Sequence, residues 1–205
     1  MKDIAKMLLE VKAVALDTSK GFTYASGRKG PIYCDNRLLL SFPQQREKVV
    51  ECFLKIIKEK NLTPDVVAGV ATGAIAWGAL IADRLKKPFI YIRSSTKGHG
   101  KQNRIEGRLE EGKKVLVIED LINTGGSSAD ACNAVREGGG IVIACIAIVN
   151  YGFDEAGKKF TSGKIPLYSL TDFTELINVA SESKTISGAD KKVLFAWHKD
   201  PENWN

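Results

Sequence analysis

From residue 64 onward the chain alternates between short, unbroken apolar runs and stretches with helical spacing. The runs fall at residues 66–71, 89–93, 115–119 and 141–150. A short apolar run without polar interruption predicts a strand covered on both faces, as in a parallel sheet. Residues 73–85 and 127–137 have the spacing of helices, and Gly138, Gly139 and Gly140 stop the second of them. The alternation predicts an α/β fold built on a doubly wound, mostly parallel sheet. A short strand at 167–170 and two further helices are expected to complete it. Ahead of this core, residues 1–16 read as one amphipathic helix carrying Asp3, Glu10 and Lys12. Residues 22–37 (FTYASGRKGPIYCDNR) read as a hairpin turning around 27–31. Pro43 then opens a long helix expected over residues 44–60. No repeat or low-complexity linker divides the sequence, and 205 residues suit one domain, with residues 1–43 as a modest appendage.

Chemistry concentrates in residues 115–128 (VLVIEDLINTGGSS), where an apolar run meets two adjacent carboxylates, Glu119 and Asp120, then small residues, then a helix. A loop of this kind leaves the carboxyl end of a strand, where open α/β sheets bind ligands. Gly125 and Gly126 let backbone N–H groups approach an anion. Thr124, Ser127 and Ser128 add hydroxyl donors, and the helix presents its positive end. Two carboxylates at the lip repel a bare phosphate but accept hydrogen bonds from a diol. The segment therefore fits a ribose 5-phosphate. Helix capping by an acid and an ordinary strand-to-helix turn is the bland alternative, and it explains one carboxylate rather than two.

A second segment, residues 93–107 (RSSTKGHGKQNRIEG), carries Arg93, Lys97, His99, Lys101 and Arg104 with almost no apolar residue. It cannot pack a core, and it reads as a lid that brings cations to a polyanion. The turn at 71–74 joins a strand to a helix through small residues, which lets a backbone N–H reach a second phosphate. Two other patterns fail. GRLEEGKK at 107–114 lacks the final Ser or Thr of a P-loop and precedes a strand instead of following one. Gly98-His99-Gly100 lacks the third glycine of a dinucleotide fingerprint. His198, beside Trp197, reads as structural.

Bulk composition narrows the setting. At 44% apolar and 26% charged residues the chain is an ordinary globular sequence, and no apolar run approaches a membrane span. A net charge of +6 permits nucleic-acid binding, but Lys and Arg are scattered, which suits a polyanionic small substrate equally well. The four cysteines, Cys34, Cys52, Cys132 and Cys145, form no C-x-x-C pair and read as reduced thiols of a cytoplasmic protein. No His/Cys cluster predicts a metal site.

IEDLINTGGSS resembles the signature of the type I phosphoribosyltransferases, which bind phosphoribosyl pyrophosphate (PRPP). FTYASGRKGPIYCDNR and YIRSSTKGHGKQNRIEG resemble the orotate phosphoribosyltransferases within them, and the resemblance covers nearly the whole chain. It implies a single domain, 1–205, with residues 1–43 as a hood over the base. It implies transfer of a phosphoribosyl group from PRPP to orotate in pyrimidine biosynthesis, with Mg²⁺ carried on PRPP and not held directly by protein. The PRPP site would comprise Arg93, Lys97, His99, Glu119, Asp120, Leu121, Ile122, Asn123, Thr124, Gly125, Gly126 and Ser127. Lys97, His99 and Asp120 would be catalytic, and Phe22 and Asn123 would touch orotate. A homodimer sharing the mobile loop is implied, with no nucleic-acid or membrane partner. The chain departs from the family pattern at Asn123, Ser94, Ala25 and Thr72-Gly73, where other members carry Thr or Ser, Lys, Lys, and a Tyr-Lys pair. A different base on the same scaffold and a PRPP-sensing nucleic-acid regulator are the rival readings. The first is disfavoured by the N-terminal hood, the second by the scattered charge.

Overall fold

The computed structural model describes residues 2–24, 27–94 and 104–204. Its centre is a six-stranded sheet. In chain order the first elements are α1 (Lys2–Glu10), β1 (Val14–Leu16), β2 (Phe22–Thr23), β3 (Lys29–Gly30), β4 (Ile32–Cys34), a 3-10 helix (Asn36–Ser41) and α2 (Pro43–Glu59). There follow β5 (Val66–Val70), α3 (Ile75–Leu85), β6 (Phe89–Ile92), β7 (Ile105–Glu106), β8 (Lys114–Ile122), α4 (Gly126–Glu137) and β9 (Ile141–Asn150). The chain closes with α5 (Asp154–Ser162), β10 (Leu167–Asp172), α6 (Phe173–Glu182) and α7 (Gly188–Lys199). The sheet order is β10-β9-β8-β5-β6-β7, parallel throughout except for the antiparallel edge pair β6–β7.

Strand pleating sorts the apolar runs onto two faces. Val67, Leu116, Ile118, Ala144 and Ile146 join the core formed with α1, α2, α3 and α6, around Phe53, Trp77 and Phe173. Val66, Ala68, Val70, Val115, Val117 and Cys145 face α4 and α5, against Cys132, Val135 and Phe160. Both faces are covered, which is why the runs lack alternation.

Several elements differ from the sequence expectation. The end of the segment read as a polar lid forms β7, whose Ile105 is buried in the core and which pairs antiparallel with β6. The first helix ends at Glu10, because Lys12 turns the chain through φ 58°, and Val14–Leu16 instead pairs antiparallel with Ile32–Cys34. β8 runs on past Glu119 to Ile122, because the ten-residue β9 supplies partners as far as Asn150. The two carboxylates therefore lie inside a strand and not in the loop after it. α5 was not expected; it buries Ala156 and Phe160 on one face.

Within residues 22–37 only β2–β3 is a hairpin; β4 pairs instead with β1 outside that stretch, and Asn36, just after β4, contacts Asp120 toward the carboxyl end of β8. The C-terminal segment holds the two ribbons. Thr18 hydrogen-bonds Asp190, Arg28 pairs with Glu202 at 2.9 Å, and the Trp204 ring lies where a side chain on Gly21 would sit.

Candidate active site

The carboxyl ends of β5, β6, β8 and β9 gather the turns at 71–74, 93–94, 123–125 and 151–153 on one side of the sheet. Glu119 is 4% exposed, while Asp120 is half-buried, so the acid pair is unequal. Glu119 Oε2 accepts from the Ser128 hydroxyl at 2.7 Å, and Oε1 accepts from the Asp120 N–H at 3.1 Å. Ser128 thus serves the acid and is not a donor to the anion loop, contrary to the sequence expectation. Burial, and then the neighbouring charge of Asp120, push the Glu119 carboxyl well above its ordinary range, against the hydrogen bond from Ser128.

That shift has a consequence for stability. A carboxyl raised in the folded state binds its proton more tightly there than in the unfolded chain. Its contribution is full below the unfolded value of about 4.3 and is lost as pH rises through the folded value. Glu119→Gln is therefore expected to melt above the parent at neutral and alkaline pH, by about 2–4 °C for each kcal/mol relieved, and to lose sugar affinity. The gap should close in acid. Scanning calorimetry across the acid range checks this, and a gap independent of pH counts against it.

Asp120 is held differently. Its Oδ1 accepts from the Leu121 N–H at 2.9 Å, and the carboxylate leans into the space left by Gly73, where a Cβ on Gly73 would collide with Oδ2. The turn expected to receive a phosphate is thus also the seat of the second acid. Gly73→Ala is expected to displace that carboxylate with little loss of stability, since the flexible side chain can yield where backbone could not. A tenfold or greater rise in the sugar's dissociation constant with an unchanged melting temperature is the expected calorimetric result, equivalent to about 1.4 kcal/mol or more.

Beyond the acids, Gly125 adopts a left-handed conformation (φ 72°) and starts α4 with no side chain capping it. The N–H groups of the first helical turn then point outward as an anion nest. α5, absent from the sequence reading, supports this loop: Ala156 packs beneath Gly125, and Lys159 Nζ donates to the Thr124 carbonyl at 3.2 Å. Asn123 and Ser127 are exposed. Leu121 is half-buried against the core, and Ile122 is fully buried with its carbonyl accepting from the Tyr151 N–H, so the Ile122 side chain is not offered to a ligand.

On the other side of Gly73, Arg93 shares a cleft of about 500 Å³ with Ala71, Thr72, Tyr91 and Glu106. Arg93 is only partly exposed and lies 3.4 Å from Glu106. Arg104 is drawn away to Asp130, at 2.7 Å. Phe22 of the hood is half-buried, its ring 5.8 Å from Tyr33. A second cleft, of about 390 Å³, opens between Arg28 of the hood, Thr124 and His198. His198 stacks between Phe173 and Phe153, at 4.4 Å and 4.8 Å, with Nε2 2.5 Å from the Tyr151 carbonyl. Lys97, His99, Lys101 and Ala25 lie outside the described residues.

The described order around the cleft is nest, acid pair, small-residue turn and arginine, a track for a phosphate, a diol and a second phosphate group. Comparison with known proteins agrees with it. A family model for the phosphoribosyl transferase domain matches residues 39–166. Orotate phosphoribosyltransferase from Coxiella burnetii is 46% identical over 202 residues, covering 98% of this chain and 97% of that protein. The chain belongs to the orotate phosphoribosyltransferases. The Bacillus cereus member of this family is 45% identical over 98% of the chain. The crystal structure of the Aeropyrum pernix orotate phosphoribosyltransferase superposes with a TM-score of 0.77 at 29% identity, covering 90% of this chain and 99% of that one. The family model leaves out residues 1–38, with their two ribbons, and residues 167–205, with β10, α6 and α7.

Two holding residues escaped the sequence reading. Asn36 lies in the hood and contacts the acid strand from 84 positions away. Lys159 lies in α5, whose helical spacing of Ala156 and Phe160 was a local signal the sequence reading passed over, whereas Asn36 carried none.

Proposed function

We propose that this orotate phosphoribosyltransferase moves the phosphoribosyl group of PRPP onto a ring nitrogen of orotate, yielding orotidine 5′-phosphate and pyrophosphate. The observation that carries the reading is the unequal acid pair, fixed by Ser128, the Leu121 N–H and Gly73, beside an uncapped helix start.

The amides of the first turn of α4 bind the 5-phosphate, with Thr124 and Ser127 alongside. Asp120 and Glu119 accept hydrogen bonds from the ribose hydroxyls. Arg93 and the 71–73 turn hold the pyrophosphate end. The bond from the sugar to pyrophosphate breaks early, leaving positive charge on the ribose ring and negative charge on the leaving group. Asp120 lies on the side where positive charge grows. Arg93, with Lys97, His99 and Lys101 of the loop, meets the negative charge, and the loop closes to keep water out. Phe22 and Asn123 flank the base under the hood. Glu119 is buried with both oxygens already hydrogen-bonded, so it does not fit a metal ion, whereas the half-buried Asp120 carboxylate would. Mg²⁺ carried on PRPP would supply positive charge to the pyrophosphate without direct protein ligands.

The protein works in the cytoplasm as a single domain with residues 1–43 as its hood, and as a homodimer whose loop serves the neighbouring subunit. Scattered positive charge gives it no nucleic-acid face. Loss of orotate absorbance on addition of PRPP and Mg²⁺ tests the reading directly. Consumption of a purine base instead, with orotate untouched, overturns the choice of acceptor.

A further inference from the structure

The buried polar side chains among the described residues are Asn36, Glu119, Ser128 and Thr171. Burying a polar group is costly unless it is hydrogen-bonded, so such groups mark places where geometry matters. Glu119 and Ser128 bind each other. Asn36 is 1% exposed and belongs to a different part of the chain. Its Nδ2 donates to the main-chain carbonyl of Asp120 at 2.8 Å. β5 pairs with β8 only as far as Ile118, so Asp120 extends past the end of that neighbour. The Asn36 amide stands in for the missing strand there. The other end of the amide is also engaged: Oδ1 accepts from the Cys34 thiol at 3.4 Å. Burial, with the charges of Asp120 and Asp35, keeps that thiol protonated and able to donate. Asp35, next in the chain, caps the 3-10 helix by accepting from the Arg37 N–H, and holds the Arg37 guanidinium at 2.7 Å and 2.8 Å. The ribbon strand β4, the cap and Asn36 thus form one short, fully bonded path from the hood to the acid strand.

We infer that Asn36 is a positioning residue: it ties the hood to the backbone of Asp120 and sets the pose in which that carboxylate receives the sugar. The inference rests on the assignment of Asp120 to the ribose of PRPP. Asn36 touches neither substrate nor reacting atoms. It acts through Asp120, so its influence should vanish when Asp120 can no longer perform its role.

The test is a double-mutant cycle read in kcat/KM for PRPP. Asn36→Leu keeps the number and branching of the side-chain heavy atoms, at a larger volume, and removes the donor; Asn36→Ala, which cannot clash, is run beside it in case the leucine fails to fold. Melting temperatures are recorded for all variants. Either substitution alone is expected to lower kcat/KM about tenfold, the cost of leaving a buried carbonyl unpaired and its strand free to shift. In the Asp120→Asn background the same substitution should change kcat/KM less than about twofold, since coupled residues are not additive. A purely structural asparagine would impose the same factor in both backgrounds. Equal penalties, or no penalty in the parent background, overturn the positioning role of Asn36 while leaving the PRPP site in place. Unimpaired PRPP binding by Asp120→Asn alone overturns the site assignment itself, which separates the two failures.

Discussion

Asp120→Asn is expected to weaken PRPP binding about ten- to a hundredfold while leaving the fold intact. The substitution keeps the shape of the side chain and its fit against Gly73, but turns a charged acceptor into a half-donor. Hydrogen bonds to a charged group are worth about 1.5–3 kcal/mol, and this one faces a sugar that becomes more positive as the reaction proceeds. Turnover should therefore fall along with affinity. The fold should survive because the residue is only half-buried, and the contacts that carry the strand are main-chain bonds to β9 together with the Asn36 amide on its carbonyl. Calorimetry with PRPP gives the affinity, and the melting temperature controls for folding. A variant that folds and binds PRPP like the parent would remove the central assignment.

Lys97→Ala should do the opposite in proportion: turnover falls by about two to three orders of magnitude, with a much smaller change in PRPP affinity. A single well-placed donor to charge that develops on the leaving group is worth roughly that much. Under the proposed assignment, ground-state binding has other holders, namely the α4 amides, Arg93 and the acid pair. The expectation comes from the composition of the segment from Arg93 to Gly107, whose cations have little apolar company. Single-turnover measurements separate the chemical step from release. An unchanged chemical step would end the case for Lys97.

The parallel strands are legible in the sequence because each contains a short, mainly apolar run, whereas the two-residue edge strand β7 is hidden in a polar stretch. Val66–Val70 and Ile141–Asn150 fall almost where the pattern puts them. Boundaries set by a partner were not readable. β8 continues through two carboxylates because β9 is long, and no local feature of Glu119-Asp120 says so. Val14–Leu16 looked like the tail of a helix until Ile32–Cys34 lay beside it. At the site, the acids and the glycines announce themselves through composition. Their partners do not: the Ser128 hydroxyl could have faced an anion as readily as a carboxylate, and Asn36 reaches Asp120 only once the hood is folded.

The floor and the roof of this cleft are built with very different persistence. The acids sit on β8, flanked by β9 and β5 in the middle of the sheet, whereas the roof is two ribbons of two or three residues per strand. Central strands open only with the whole molecule, and short peripheral ribbons open far more easily. The two are joined at one point, the Asn36 amide on the Asp120 carbonyl. Under the proposed assignment, a lineage could rework the ribbons to take a new nucleobase at small thermodynamic risk only while that one joint is kept.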